Sequence, residues 1–508
     1  MIYHGENKMY VKNRQKKQYI KLGVNEFKLN REFLKEIVTG INWQPIYSDV
    51  YTLHNNRYQR YNLNLFQFFL LFFFSYKFRI LMPNNMVLYP FATRKGYLSF
   101  SYRSENGMTD GMYHKQFFAY ILGNIVNFLY PFHRPNLVFE KVSSRAQESG
   151  FEYFKYVQRQ FPREKTYYVI KSDSSDFCKT KGMKNVVLHG SFSHFYLLIR
   201  AGLFISSETP GHVYFWRENM GLTANVVRTK PYVFLQHGVL GFKKLDNMFY
   251  GDRLTAPIRL ITSSQFEQYI VTENLGYDAK KVPITGLARW DLIDLKRERT
   301  NLRDKILLFY TWRPWLDDVD EETFATSEYL SSINKSIQLI KQMNLDKEII
   351  VMMHPKMQAS LSKKEISNIK LWTDSDGPLN ELMSSVALLI TDYSSLAWEA
   401  YYREIPVIFD MFDQKRYEKE VGSYIDLNRI PFGSKVDNKI SDNVQQIIAQ
   451  DYQMTEEELK AKGMYFAFQD QNASQRIHDV IQNIDLRAIN REKRRLIVRA
   501  AFRIIFKR

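Results

Sequence analysis

The sequence has one cysteine, Cys178, in 508 residues. A single thiol excludes an intramolecular disulfide framework and a cysteine-based zinc finger, and it fits a reducing compartment. Cys178 stands in no motif and reads as structural. The cysteine and histidine inventory offers no metal cluster. No secretory signal is visible, and none is expected: MIYHGENKMYVKNRQKKQYIK is polar and basic, with no apolar core behind it. No run reaches the roughly 20 apolar residues of a spanning helix. The most apolar stretch, LFQFFLLFFF (Leu65–Phe74), is closed by Lys77 and Arg79 and reads either as a buried helix or as one dipping into a membrane interface. There is no Walker lysine loop, which argues against a P-loop kinase, and no internal repeat. Acidic charge is in deficit: 71 Lys and Arg against 54 Asp and Glu give a net charge of +17, so anionic partners are expected.

What is present is a large core. Hydrophobic residues make up 45% and aromatics 15%, which argues against disorder, and the length suits two or three domains. Residues 1–82 form a basic, aromatic-rich lead-in without strand–turn–helix alternation, expected to be a helical, aromatic extension. From about Asn85 the texture changes. MVLYPFA (Met86–Ala92) reads as a buried strand and Phe117–Leu129 as an apolar helix. TYYVIKSD (Thr166–Asp173), NVVLHGS (Asn185–Ser191), LFISSE (Leu203–Glu208) and YVFLQHG (Tyr232–Gly238) are short apolar runs with polar or glycine ends. RLITSS and VPITGLARWD continue the series, which is the pattern of parallel strands with crossover helices. Residues 83–295 are thus expected to form one Rossmann-like domain, and LKRERTNLRDK (Leu295–Lys305) a linker. KILLFYTWR, EIIVMMHP, VALLITDYSS and IPVIFDMF open a second domain over 305–485. Two doubly wound α/β halves facing a cleft place ligands at the carboxyl ends of their strands.

Polar residues at those ends are the candidate site. His237 follows YVFLQ and precedes Gly238, which would let a substrate approach the backbone. An imidazole there can take a proton from an attacking hydroxyl, or simply bond within its own loop. His354-Pro355 follows EIIVMM, and its imidazole is placed to meet a phosphate oxygen or a leaving group. TDYSSLAWEA (Thr391–Ala400) closes one strand and opens a helix. Thr391, Asp392, Ser394 and Ser395 cluster at that junction, where backbone N–H groups and hydroxyls suit a pyrophosphate, and Glu399 lies one turn on. Arg313 in TWR can clamp a phosphate or lie on the surface.

Together these motifs resemble the CDP-glycerol glycerophosphotransferase family, the teichoic acid and capsule primases and polymerases of Gram-positive bacteria. QHGV…KK (Gln236–Lys244), TGLARWD (Thr285–Asp291), YTWR, MHPK, TDYSS, PVIFDMFD and DQNASQRI (Asp470–Ile477) follow the family's order over residues 185–485. The resemblance implies a GT-B fold and an inverting, metal-independent transfer from CDP-glycerol or CDP-ribitol to a hydroxyl of a lipid-linked or polymeric acceptor, with release of CMP. It matches His237 with the family's candidate base and His354, Arg313, Ser394 and Ser395 with positions that hold the donor's phosphates; His237 and His354 are thus the expected catalytic residues, and the junction reading adds Thr391, Asp392 and Glu399 to the expected donor-binding set. Gln236, Gly238, Lys243, Lys244 and Arg289 fall on the acceptor side or its loop. The family's His-Gly-Thr-Pro-Leu-Lys reads here as HGVLGFKK, and Gln471 stands where glycine is usual.

Other readings stay open. Another GT-B nucleotide-sugar glycosyltransferase or an epimerase shares the strand-end histidine and phosphate cradle. A nucleic-acid-binding protein fits the charge, but no such module is visible, and the intact histidines and serines argue against a non-catalytic scaffold. The tail, residues 486–508, carries Leu496, Ile497, Ala500, Ala501, Ile504 and Ile505 at helical spacing between arginines. A basic amphipathic helix of this kind either docks on an anionic membrane or packs back on the protein. The first option implies a peripheral enzyme on the cytoplasmic face.

Overall fold

The computed structural model describes residues 8–493 except 15–18, 25, 39–40, 42, 44–45, 55, 94, 216–217, 219–220, 246–248, 317–318, 320, 354–369, 374–375 and 438. Three sheets organise these residues.

The first sheet is antiparallel and has seven strands. Tyr19–Lys21, Met9–Asn13, Ile46–His54, Leu98–Ser104, Met86–Ala92 and Ile80–Met82 follow in spatial order, and Arg57–Arg60 pairs with the far end of Ile46–His54. Alternate residues Met9, Val11, Val50, Leu88, Leu98 and Phe100 make one apolar face. Leu34 and Ile37 of the helix Arg31–Val38 and Leu71 of the helix Leu65–Phe74 cover it. This corrects the expected helical lead-in and the boundary at residue 83. Met86–Ala92 is no Rossmann strand, because it pairs antiparallel on both sides. The helix Leu65–Phe74 is split in character: Leu71 is buried, whereas Leu65 and Phe66 are about 70% exposed at 69% and 72%. Among the described residues no helix is long and apolar enough to cross a membrane.

Arg103 ties this sheet to the next unit through a buried ion pair with Glu218 at 2.7 Å. The long helix Asp110–Leu129 then leads into a six-stranded parallel sheet. Its order is Val186–Leu188, Thr166–Ile170, Asn136–Phe139, Leu203–Ser206, Tyr232–Phe234 and Arg259–Leu260. A second parallel sheet repeats the winding with Lys370–Trp372, Glu348–Met353, Lys305–Tyr310, Val386–Thr391, Val407–Phe409 and Ser434–Lys435. In both, the first strand in sequence lies at the centre beside the fourth. The direction in which successive strands are added reverses there, which opens a crevice at the strands' carboxyl ends.

The two lobes exchange chain segments. Val239 and Phe242 of the first lobe lie in the second lobe's core with Trp398, Phe409 and Phe432. In return, Ile477 and Ile481 of the C-terminal helix Ala473–Gln482 fill the first lobe's core. Asp291 caps that helix, accepting from the Ala473 and Ser474 amides at 2.8 Å each. Gln471, at the family's glycine position, donates to the Asp291 carbonyl. TGLARWD and DQNASQRI are therefore one structural joint. The tail helix continues over 486–493, where Leu486 and Ile489 pack on the first lobe. Residues 494–508, with most of the amphipathic pattern, lie outside the described residues.

Candidate active cleft

The two switch points face each other across a cleft of about 360 Å³. Lys141, Arg145, Glu148, Glu208, His237 and Arg289 line it from the first lobe, and Phe309, Trp372, Ser394 and Ser395 from the second.

His237 is exposed and borders this space. Its Nδ1 lies 3.2 Å from the Ser207 carbonyl oxygen. A carbonyl only accepts, so Nδ1 carries the proton of the neutral ring and Nε2 keeps its lone pair. The backbone before it is held in a costly shape. Gln236 has φ +57°, the left-handed region, which disfavours a side chain by roughly 1–2 kcal/mol. The Gln236 amide offsets that by donating to the Ile261 carbonyl at 2.5 Å and to Glu267 Oε1 at 3.0 Å. Glu267 also accepts from the Leu240 and Ser263 amides, so one buried carboxylate holds both sides of the turn. Gln236 is thus a positioning residue, enclosed behind the cleft.

Gly238 is where the two lobes approach closely. A Cβ there would lie 2.6 Å from Ser395 Oγ. Ser395 borders the cleft, while Ser394 Oγ accepts from the Leu396 amide at 3.0 Å and shapes the turn.

The remaining residues of this junction correct the phosphate cradle expected from the sequence. Arg313 is wholly buried. Its guanidinium is held by Asp392 and Asp413, each at 2.7 Å, and by the Thr311 carbonyl, beneath the rings of Tyr329 and Tyr393. Burial opposes its charge, but the two carboxylates outweigh that and hold it protonated. Asp392 also accepts from the Thr311 and Tyr393 amides, and Thr391 Oγ1 donates to the Phe309 carbonyl. These groups fasten strand ends and have no face toward the cleft. Glu399 is equally enclosed, with Arg289 at 2.5 Å and Arg403 at 3.3 Å. Burial alone would raise its pKa, and the two guanidiniums pull it below the usual value. Arg289 therefore crosses from the cleft wall to the second lobe as an inter-lobe ion pair. Lys243 and Lys244 are exposed and do not line the cleft. His354 lies outside the described residues.

Sequence reasoning missed Lys141, Arg145, Glu148 and Glu208. Lys141 and Arg145 follow the strand Asn136–Phe139, whose four residues are too short a run to stand out. Glu208 Oε2 is 3.5 Å from His212 Nε2. Burial raises the Glu208 pKa, opposed by His237, while burial with Lys141 and His237 pushes His212 down to about 4. His212 is neutral near pH 7, and its Nδ1 accepts from the Val142 amide.

A family model described as CDP-Glycerol:Poly(glycerophosphate) glycerophosphotransferase matches residues 123–483. That span takes in both parallel sheets and the returning helix and leaves the antiparallel sheet outside. The minor teichoic acid biosynthesis protein GgaB of Bacillus subtilis is 25% identical over 371 residues, covering 69% of this chain and 40% of that protein. The teichoic acid glycerol-phosphate transferase of Staphylococcus aureus is 25% identical over 264 residues, 47% of this chain and 62% of its own. The chain thus spans less than two thirds of these curated relatives' length. A solved structure of the wall teichoic acid polymerase TagF superposes with a TM-score of 0.52 at 19% identity, covering 75% of this chain and 99% of that one. It shows a shared fold.

Replacing Arg313 with methionine leaves Asp392 and Asp413 buried without their cation, which costs about 3–5 kcal/mol. Denaturant unfolding should show that loss. A variant of wild-type stability whose sole defect is weak donor binding would return Arg313 to the phosphate site.

Proposed function

The chain belongs to the CDP-glycerol:poly(glycerophosphate) glycerophosphotransferase family, and from that premise we propose that it transfers glycerol phosphate, or a related alditol phosphate, from a CDP-linked donor to a hydroxyl of a lipid-linked or polymeric acceptor. The architecture fits the GT-B type, with the acceptor on the first lobe and the donor on the second. One observation carries the reading: His237, its Nδ1 bonded to the Ser207 carbonyl, presents Nε2 to a cleft whose opposite wall is the Ser394–Ser395 turn.

In this reading Nε2 removes the acceptor hydroxyl proton as the oxygen attacks the β-phosphorus. The bond to the bridging oxygen breaks and CMP leaves. Charge on the equatorial oxygens is met by the cations lining the cleft, Lys141 and Arg145, and by the Ser395 hydroxyl. The metal-independent course expected from the sequence remains part of the proposal, supported by these cations. The HGVLGFKK departure lies in the inter-lobe core through Val239 and Phe242, so it alters the clasp between lobes more than the acceptor wall.

A lipid-linked acceptor calls for a peripheral position at the membrane, which we place at the cytoplasmic face. Three features support it. Leu65, Phe66 and Phe69 are exposed on one helix. Phe117, Phe118, Ile121, Ile125 and Phe128 are exposed along Asp110–Leu129. The basic tail is the third. Replacing Phe118, Ile125 and Phe128 with serine should lower sedimentation with phosphatidylglycerol vesicles, and undiminished sedimentation would remove that helix from the membrane contact.

The transfer itself is tested by following CMP release from CDP-glycerol and CDP-ribitol with a lipid-linked acceptor. Wild type should release CMP with one of them, equally in EDTA, and His237→Ala should be slower by about 10²–10⁴-fold. Turnover of a UDP-sugar instead, or a His237→Ala variant of normal rate, would overturn the assignment. Loss of activity in EDTA restored by Mg²⁺ would overturn the metal-independent course.

A further inference from the structure

The antiparallel sheet has a second face. Over the strands Leu98–Ser104 and Met86–Ala92 that face is covered: Val87, Tyr89 and Phe91 are buried, and Arg103 meets Glu218. Over the outer strands the same face is open. Lys21, Tyr10, Tyr51 and Arg60 stand in register across four strands, and Lys12 pairs with Tyr19 in the adjacent row. Tyr19 and Tyr58 stack at 3.8 Å, with Tyr10 edge-on to Tyr58 at 5.1 Å and Tyr51 edge-on to Tyr19 at 5.2 Å. Lys12 sits 4.5 Å over the Tyr19 ring. The four outer strands carry one carboxylate, Asp49, which is nearly buried and neutralised by Arg14 at 2.7 Å and Arg60 at 3.2 Å. The side chains of those two arginines remain 44% and 46% exposed. Lys12, Arg14, Lys21 and Arg60 thus stand against Asp49 on one half-exposed tyrosine surface.

We propose that this surface is a binding platform for an anionic polymer of phosphodiester-linked polyols, holding the acceptor chain while the cleft acts on its end. The identity of the polymer rests on the function proposed above. Charge complementarity is the first reason: phosphodiesters at regular intervals suit a row of cations spaced by strands. The second is the state of the rings. Tyr19 and Tyr58 cover each other's faces, and Tyr10 and Tyr51 abut them. Nucleobases bind by stacking on open ring faces. This cluster offers phenol hydroxyls and ammonium and guanidinium groups, which hydrogen-bond to polyol hydroxyls and phosphate oxygens. The platform lies outside the family match at 123–483, so it adds to the transfer unit and is not part of its machinery. Tethering the acceptor on the same chain raises its effective concentration at the cleft without any new contact there.

The test is fluorescence anisotropy of the full chain with labelled, lipid-free poly(glycerol phosphate), repeated across salt concentrations. Lys12→Glu with Lys21→Glu should weaken binding about tenfold or more and flatten its salt dependence. Tyr19→Phe with Tyr58→Phe keeps the stacked rings and should weaken it by a few fold. CMP release with a short soluble acceptor should stay at the wild-type rate in both variants. Unchanged polymer affinity in the double-lysine variant overturns the proposal, as does single-stranded DNA that binds more tightly than the polymer and is lost in parallel. If wild type releases no CMP from any CDP-alditol, yet polymer binding is still lost in the variants, the cleft's assignment fails and the platform stands.

Discussion

The structure depends on a short loop that leaves one lobe and finishes the core of the other. Beyond His237 the chain crosses the cleft: Gly238 meets Ser395, Gly241 lies on Trp398, and Val239 and Phe242 are buried in the second lobe. Backbone bonds secure the crossing, with the Tyr424 amide donating to the Gly241 carbonyl and the Lys244 amide to the Gly422 carbonyl. The helix Ala473–Gln482 makes the reverse crossing under the Asp291 cap. Because His237 and the Ser394–Ser395 turn sit at the two ends of one contact, their separation is set by packing. A side chain at position 238 would push them apart.

Charge at the strand ends divides into two kinds. Arg313 with Asp392 and Asp413, and Arg289 with Glu399, are ion pairs largely withdrawn from water. Breaking such a pair is costly because it strands a charge, so these groups fix geometry, and of them Arg289 also borders the cleft. Lys141 and Arg145 border the open cleft instead. The same residue types thus build the frame in one place and border the open cleft in another.

That division explains what the sequence could and could not disclose. Buried parallel strands show as apolar runs such as VALLIT and KILLFY, so both wound sheets were legible. The antiparallel sheet was not, because strands such as MYVKN and IYSDVYTLH alternate apolar residues with Tyr, Lys and Ser and make no continuous apolar run. His237 and Ser395 were legible as strand-end polar residues. Arg313, Thr391, Asp392 and Glu399 looked identical to them in sequence, since a strand end does not reveal whether a side chain turns into the cleft or under it. Glu208 was hidden in plain view as the last residue of LFISSE, where only the fold brings it beside His212 and His237. Asp291 and Arg476 were visible as motif residues, but their part, joining the two lobes, needed the distances.

The central claim is that donor phosphates lie between the serine turn of the second lobe and the cations of the first. A structure of the full chain soaked with CDP-glycerol tests it most directly. The account predicts pyrophosphate density against Ser394 and Ser395 on one side and Lys141 and Arg145 on the other, with the β-phosphorus facing His237 Nε2. Density instead in the separate cavity of similar volume lined by Pro406, Ile430, Phe432 and Ser434, or against Lys243 and Lys244 outside the cleft, would contradict it.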